Sequence, residues 1–286
     1  MHGIGPPLVT PFTEDGEVDY PALRELVGWV EARGVDFLVP CGSNSEAELL
    51  TATERNRVIE TVVEAASVPV LAGTGHPGLR ETLAATDAAA ETGADAALVV
   101  TPFYYDHDQS TLAAYYREVA DSADLPVYLY SVPSYTGLRL DPETVADLAT
   151  HPNIAGMKDS SGDLAAFIRT QRRTTDEAFD LLVGSGSLLA QALDAGASGG
   201  VLALANLFPE VCREIAQTED AERARATNAA VVDVNTAITA TYGVPGLKWA
   251  MRERGAPAGY PRSPHQPPDD AATEHLASLL AETEPE

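Results

Sequence analysis

Short apolar, β-branched runs recur along the chain, each closed by Gly, Pro or a small polar residue and followed by a stretch with helical spacing. The runs are Pro7–Thr10, Phe37–Pro40, Pro69–Ala72, Ala97–Thr101, Val127–Tyr130, Ile154–Lys158, Leu181–Gly184 and Gly200–Ala203. Because they are nearly all apolar rather than alternating, they predict strands buried on both faces, as in a parallel sheet covered by helices. The intervening segments carry matching signals. Leu23, Leu26, Val27 and Val30 make one helical stripe between an Asp19 N-cap and a Gly34 stop. Thr51 and Glu54 form a capping box ahead of Val58, Ile59, Val62 and Val63. Asp141-Pro142-Glu143 opens another helix, and Gly93 and Gly196 close two more.

Eight strand–helix units predict a (β/α)8 TIM barrel over residues 1–218. Helical patterns at 219–241 and 245–254, a Pro-rich loop Ala256–Pro268 and a last helix at Ala271–Ala281 predict a C-terminal helical appendage. It spans 219–286 and packs on the barrel as part of a single structural unit.

Charge changes the picture of the surface. Forty-three acidic residues against eighteen basic ones give a formal charge of −25, which disfavours nucleic acid and anionic membrane as partners. Sixteen of the eighteen basic residues are Arg, and only Lys158 and Lys248 are Lys. Such self-repulsion is tolerated where salt shortens the Debye length, so the composition resembles that of halophilic archaeal proteins, with a strongly acidic mesophilic protein as the alternative. Cys41 and Cys212 lie far apart with no CxxC pattern, so no disulfide framework or zinc site is expected. The N-terminal segment lacks a basic and then apolar leader, and no run of about 18 apolar residues occurs, so a cytoplasmic protein is expected.

In such barrels chemistry gathers at the C-terminal ends of the strands. The polar residues there are Thr10, Ser43 and Asn44, Thr101 with Tyr104, Tyr130, Lys158 and the Gly184-Ser185-Gly186 turn. Lys158 follows Ile154-Ala155-Gly156-Met157, and apolar walls penalise an ammonium, which favours the neutral amine a nucleophile needs. The bland alternative, a lysine reaching out to solvent, is weakened by the avoidance of lysine elsewhere. Tyr130 ends the preceding strand, where its phenol would relay protons; a barrel-lining aromatic is the alternative. The Gly42-Ser43-Asn44-Ser45-Glu46 turn offers backbone N–H groups and a hydroxyl suited to a carboxylate. Gly73-Thr74-Gly75 lacks the rest of a dinucleotide fingerprint and is taken as a βα loop. Gly184-Ser185-Gly186 fits either a phosphate or a tight turn. His76, His107, His151, His265 and His275 have no metal-ligand spacing and are taken as solvated loop or helix-end residues, and Asp159 is expected to face away from Lys158.

Taken in order, Leu8-Val9-Thr10-Pro11-Phe12, the 42–46 turn, Thr101-Pro102-Phe103-Tyr104-Tyr105, Tyr130-Ser131-Val132-Pro133, Gly156-Met157-Lys158-Asp159-Ser160 and Gly199-Gly200-Val201 are highly specific. From Pro6 to about Pro264 the chain resembles the family of dihydrodipicolinate synthase, N-acetylneuraminate lyase and 2-keto-3-deoxygluconate aldolase, which are class I, Schiff-base aldolases. The resemblance implies that Lys158 forms an imine with pyruvate, Tyr130 relays protons, and Ser43 and Asn44 hold the carboxylate. It implies substrate contacts from Ser160 and Val201, a Tyr104 lent to a neighbouring subunit in a homo-oligomer (dimer or tetramer), and no metal or organic cofactor.

Within the family, Ser43-Asn44, His151-Pro152-Asn153-Ile154 and Gly243-Val244-Pro245-Gly246-Leu247-Lys248 resemble 4-hydroxy-2-oxoglutarate aldolase. Gly259-Tyr260-Pro261-Arg262 resembles archaeal 2-keto-3-deoxygluconate aldolases. Tyr135 stands where the synthases usually carry an Arg for a second carboxylate, and Ser45 stands where the turn usually has Gly. The expected activity is therefore cleavage of a 4-hydroxy-2-oxo acid, such as 2-keto-3-deoxygluconate, its 6-phosphate or 4-hydroxy-2-oxoglutarate, to pyruvate and an aldehyde. Dihydrodipicolinate synthesis is the alternative enzyme, and a keto-acid sensor is the non-enzyme alternative.

Overall fold

In the computed structural model, which describes residues 1–283, seven parallel strands form one curled sheet. They are β1 (Gly3–Gly5), β2 (Leu71–Gly73), β3 (Ala96–Val100), β4 (Val127–Ser131), β5 (Ile154–Asp159), β6 (Asp180–Val183) and β7 (Gly199–Val201), in the order β1-β7-β6-β5-β4-β3-β2. The eighth stave is the extended segment 36–40, which closes the gap between β1 and β2. Its Asp36 and Val39 N–H groups donate to Ile4 and Pro6 at 2.8 and 3.1 Å, and Leu38 N–H donates to Pro69 at 2.9 Å. Leu71 N–H and Gly73 N–H donate back to Leu38 and Pro40, both at 2.9 Å. The fold is thus a (β/α)8 barrel.

The first strand is displaced from the expected Pro7–Thr10. Pro6 and Pro7 have no N–H to give a ladder, so the regular strand lies upstream at Gly3–Gly5, while Leu8 and Val9 are buried and Leu8 N–H donates to the Val39 carbonyl at 3.0 Å. The other boundaries shift by two residues or fewer.

Residues alternate between two layers. Leu98, Tyr128, Tyr130, Leu182 and Val201 fill the barrel interior with Phe37, Val39 and Leu71, whereas Val99, Leu129, Met157, Leu181 and Val183 pack outward against the helices. Successive helices, Tyr20–Glu31, Ala52–Ala65, Leu79–Thr92, Gln109–Ser122, Pro142–Ala149 and Leu164–Thr174, pack side by side around the sheet. The Thr51–Glu54 capping box forms, and Asp19 accepts from Ala22 N–H at 3.0 Å. Asp141 sits at its N-cap without a side-chain cap bond, since its own N–H is turned to Gln109.

The C-terminal part contains helices Ala221–Ala230, Val232–Thr236, Gly243–Glu253 and Asp270–Thr283, with a π-turn at Ala237–Thr241. They pack on one another and on the helices that follow β6. Residues 284–286 of the expected appendage lie outside the described residues. The chain also folds back on itself at the barrel mouth, where Phe12 bridges to both Val18 and Tyr260. No helix of the described residues is long and apolar enough to cross a membrane.

Candidate active site

The β4–β5 register pairs Tyr130 with Lys158 and Ser131 with Asp159. Residues abreast in parallel strands point the same way, so Tyr130 and Lys158 both enter the barrel and their successors face out. A register shift after Val127 leaves Ala155 unpaired and brings Gly156 opposite Tyr128, where any Cβ would lie 2.5 Å from the Tyr128 ring. Lys158 is buried at 3% exposure, with Nζ 4.2 Å from the centre of the Tyr130 ring. The Tyr130 hydroxyl in turn lies 3.2 Å from Ser43 Oγ. Thr101 holds the backbone behind Tyr130, its N–H and Oγ1 both donating to the Tyr130 carbonyl at 2.9 Å. Lys158, Tyr130 and Ser43 thus form one continuous row.

Ser43 and Tyr130 of that row line a cavity of about 740 Å³ at the C-terminal ends of the strands, and Lys158 stands against the Tyr130 ring without lining it. Ser43, Leu98, Val100 and Tyr130 form its inner wall, and Phe103, Tyr135, Tyr242–Pro245 and His265 its outer rim. Its size suits a small metabolite, and an apolar wall with a few converging polar groups is typical of such sites.

The turn that carries Ser43 and Asn44 is a 3₁₀ turn, Ser43–Ser45, followed by a second, Ala47–Leu49. Ser45 replaces the usual Gly without strain, because the left-handed residue is not Ser45 but Glu46, at φ 54°. Ser45 Oγ instead donates to the Leu8 carbonyl and accepts from Gly42 N–H at 3.1 Å, which ties the turn to the first stave. Gly73 at the end of β2 permits close approach to this turn: a Cβ there would lie 2.1 Å from the Cys41 carbonyl oxygen.

The remaining predicted residues are dispersed around this row. Val201 lies in the same interior cluster as Tyr130, and Ser160 packs on Gly184, whose Cβ position is 1.9 Å from Ser160 Oγ. Tyr104 is 85% exposed at φ 80°, edge-on to Tyr105, and so faces outward from this single chain. Asp159 is buried on the outer side, accepting from Ser161 N–H at 2.8 Å; burial raises its carboxyl pKa, with the Ser161 bond opposing. Both cysteines are buried, and burial pushes the Cys41 thiol up to about 12.

Several residues at the site carry no role in the sequence pattern. Glu46 and Lys248 form a fully buried ion pair next to the Ser43–Ser45 turn. Burial lowers the Lys248 ammonium, with the Glu46 carboxylate opposing. His265 is a loop residue with its side chain 41% exposed, and it also lines the cavity, its Nδ1 2.9 Å from Glu46 Oε1. His76 is likewise half-buried, against Arg55, which also binds Glu48; burial, then Arg55, lowers the His76 pKa. The one available signal was that Lys248 is the second of only two lysines.

A parallel barrel with a buried lysine and tyrosine abreast at neighbouring strand ends, beside a cavity at the same end, is the build of a barrel enzyme. The chain belongs to the dihydrodipicolinate synthetase family, whose model matches residues 1–283, and like its members it is a lyase of the class I aldolase type. Among its relatives is a 4-hydroxy-tetrahydrodipicolinate synthase from Haloarcula marismortui, 37% identical over 100% of this chain and 95% of the relative. An uncharacterized DapA-like lyase from Halobacterium salinarum is 41% identical over 99% and 94%. The dihydrodipicolinate synthase of Acinetobacter baumannii, solved with pyruvate, superposes with a TM-score of 0.94 at 31% identity, covering 99% of this chain and 98% of that one. The two archaeal relatives come from halophiles, in keeping with the acidic, arginine-biased composition.

Proposed function

We propose that this lyase works on pyruvate through an imine at Lys158. The observation that carries the reading is the register of β4 and β5, which sets Lys158 beside Tyr130 and Tyr130 within 3.2 Å of Ser43. The neutral amine of Lys158 adds to the C2 ketone, and the carbinolamine loses water to give a protonated imine. Tyr130, having given its proton to the departing water, takes the proton from C3, and the C–H electron pair is held as the enamine. The enamine carbon forms a bond to an aldehyde carbon, whose oxygen takes a proton from Tyr130. Run backwards, Tyr130 removes the hydroxyl proton, the C3–C4 bond breaks and the electrons return to the imine nitrogen. Ser43 and Asn44 receive the pyruvate carboxylate, Ser160 and Val201 contact the substrate, and Tyr104 serves a neighbouring subunit of a homo-oligomer.

For the partner aldehyde, the names of the curated relatives support 4-hydroxy-tetrahydrodipicolinate synthesis, which moves ahead of the aldol cleavage favoured by the sequence pattern. Cleavage of a 4-hydroxy-2-oxo acid is the second reading. Tyr135 favours it, because this residue of the cavity wall presents a phenol where a second carboxylate would need a guanidinium.

Borohydride reduction with pyruvate tests the common step and is expected to leave a stable mass on Lys158. No adduct, or an adduct on another residue, refutes the imine. The partner is then read from initial rates with pyruvate plus aspartate semialdehyde against pyruvate release from 2-keto-3-deoxygluconate, its 6-phosphate and 4-hydroxy-2-oxoglutarate. A higher kcat/KM for any of the three cleavages would displace the synthase reading.

A further inference from the structure

We propose that Glu46 is the positioning residue of the turn that receives the keto-acid carboxylate, and that position 248 is a lysine because only an ammonium can hold Glu46 there. The inference rests on the reading that Ser43 and Asn44 bind that carboxylate.

In a chain with sixteen arginines, a lysine needs a reason. Lys248 is fully buried, so solvation is not that reason. Its Nζ donates to the Thr10 carbonyl at 2.7 Å, the Tyr260 carbonyl at 2.8 Å and the Glu46 carboxylate. Three acceptors therefore surround one nitrogen, matching the three hydrogens of an ammonium. A planar guanidinium spreads its N–H groups over three nitrogens and cannot converge them on such a point. The three acceptors come from three segments that meet only at the barrel mouth: the chain after β1, the loop before the last helix, and the turn itself.

Glu46 is saturated as well. Its Oε2 accepts from Lys248, while Oε1 accepts from Arg262 N–H at 2.9 Å and faces His265 Nδ1 at 2.9 Å. Its backbone sits at φ 54°, in the left-handed region that a long side chain rarely occupies. That backbone joins the two 3₁₀ turns: its N–H donates to the Ser43 carbonyl at 3.1 Å, and its carbonyl accepts from Leu49 N–H at 2.8 Å. The carboxylate anchor is thereby passed in one hydrogen bond to Ser43, whose hydroxyl faces Tyr130. Glu46 acts on substrate through Ser43, and its effect belongs to ground-state binding of pyruvate rather than to the proton transfers.

Glu46→Gln keeps the shape and loses the charge. Glu46→Asn adopts the left-handed backbone readily but is too short to reach Lys248. Each folded variant is expected to raise the KM for pyruvate at least about tenfold, with kcat at saturating pyruvate within about threefold of the parent and the same borohydride adduct at Lys158. If Glu46→Gln does not fold, Glu46→Asn carries the test, since its backbone is unstrained. An unchanged KM in either folded variant overturns the inference, because the turn would then hold its own shape. A fall in kcat with KM unchanged overturns it too. If the parent protein itself forms no adduct, the imine reading fails instead, so the two failures are distinguishable.

Discussion

Tyr130→Phe separates chemistry from architecture. The ring stays in place: Tyr130 is 4% exposed and packs among Leu98, Val132 and Val201, and phenylalanine keeps every one of those apolar contacts. What is lost is one hydroxyl and its 3.2 Å contact with Ser43 Oγ. A neutral hydrogen bond of this kind contributes about 0.5–1.5 kcal/mol, so the unfolding free energy is expected to drop by about 1 kcal/mol. Catalysis is expected to suffer more, because a positioned proton relay contributes roughly 10²–10⁴ in rate, or about 3–5 kcal/mol of barrier. The assay is kcat and KM for pyruvate and aldehyde alongside a denaturant unfolding curve. The expected pattern is a kcat lower by at least about a hundredfold with a nearly unchanged unfolding midpoint. If kcat falls less than about threefold, Tyr130 is a wall of the barrel and the proton relay lies elsewhere.

Two further outcomes follow from charge. Hydrogen bonding to Arg262 holds the Glu54 carboxyl down at about 2, against an ordinary value near 4.3. The depressed value means stability that is present above pH 4.3 and lost as pH falls from there toward 2; at 1.36 kcal/mol per unit it is at most about 3 kcal/mol, and nearer 1–2 with solvent screening. Thermal midpoints of the parent and Glu54→Gln should therefore differ at pH 7, differ by about half as much near pH 3 and converge only as pH falls below about 2, and a constant difference refutes the ion pair's contribution. Salt acts on the whole surface. For −25 spread over 12094 Å², lengthening the Debye length from about 3 to about 10 Å raises self-repulsion by roughly 6 kcal/mol, an upper limit because the unfolded chain also repels itself. Unfolding midpoints should fall steeply between 1 M and 0.1 M KCl, and a flat dependence refutes a salt-adapted surface.

The barrel was legible because its strands are buried on both faces. Runs such as Ala96–Val100 and Val127–Ser131 carry almost no polar residue, and only a parallel sheet sheathed in helices hides them completely. Legibility failed where pairing depends on backbone rather than side chains. Leu8 and Val9 are buried like a strand and Leu8 N–H reaches the Val39 carbonyl at 3.0 Å, yet the prolines before them cannot supply ladder hydrogens, so the regular ladder lies at Gly3-Ile4-Gly5, whose glycines carry no apolar signal. The π-turn at Ala237–Thr241 was equally hidden, since one extra residue per turn leaves no mark on an Ala/Thr-rich stretch.

At the site, strand-end position together with lysine scarcity and the family motifs singled out Lys158 and Tyr130, and the register sets them side by side. The support beneath them was invisible because it joins residues 202 and 219 positions apart in the chain, Glu46 to Lys248 and to His265. The contrast between the two lysines shows what sequence alone leaves out. Both are buried in a chain that otherwise uses arginine, and both end near an aromatic ring, Tyr130 at 4.2 Å and Phe12 at 4.4 Å. Lys248 has three oxygen acceptors for its three hydrogens, which commits its charge and its lone pair to structure. No carboxylate stands within ion-pair distance of Lys158 among the described residues, and its neighbours across β4 and β6 are Tyr130 and Leu182. An amine so placed has no fixed partner to surrender before it can attack a ketone, whereas the saturated one would have to break three bonds. Acceptor count, rather than burial, therefore separates the proposed nucleophile from the strut.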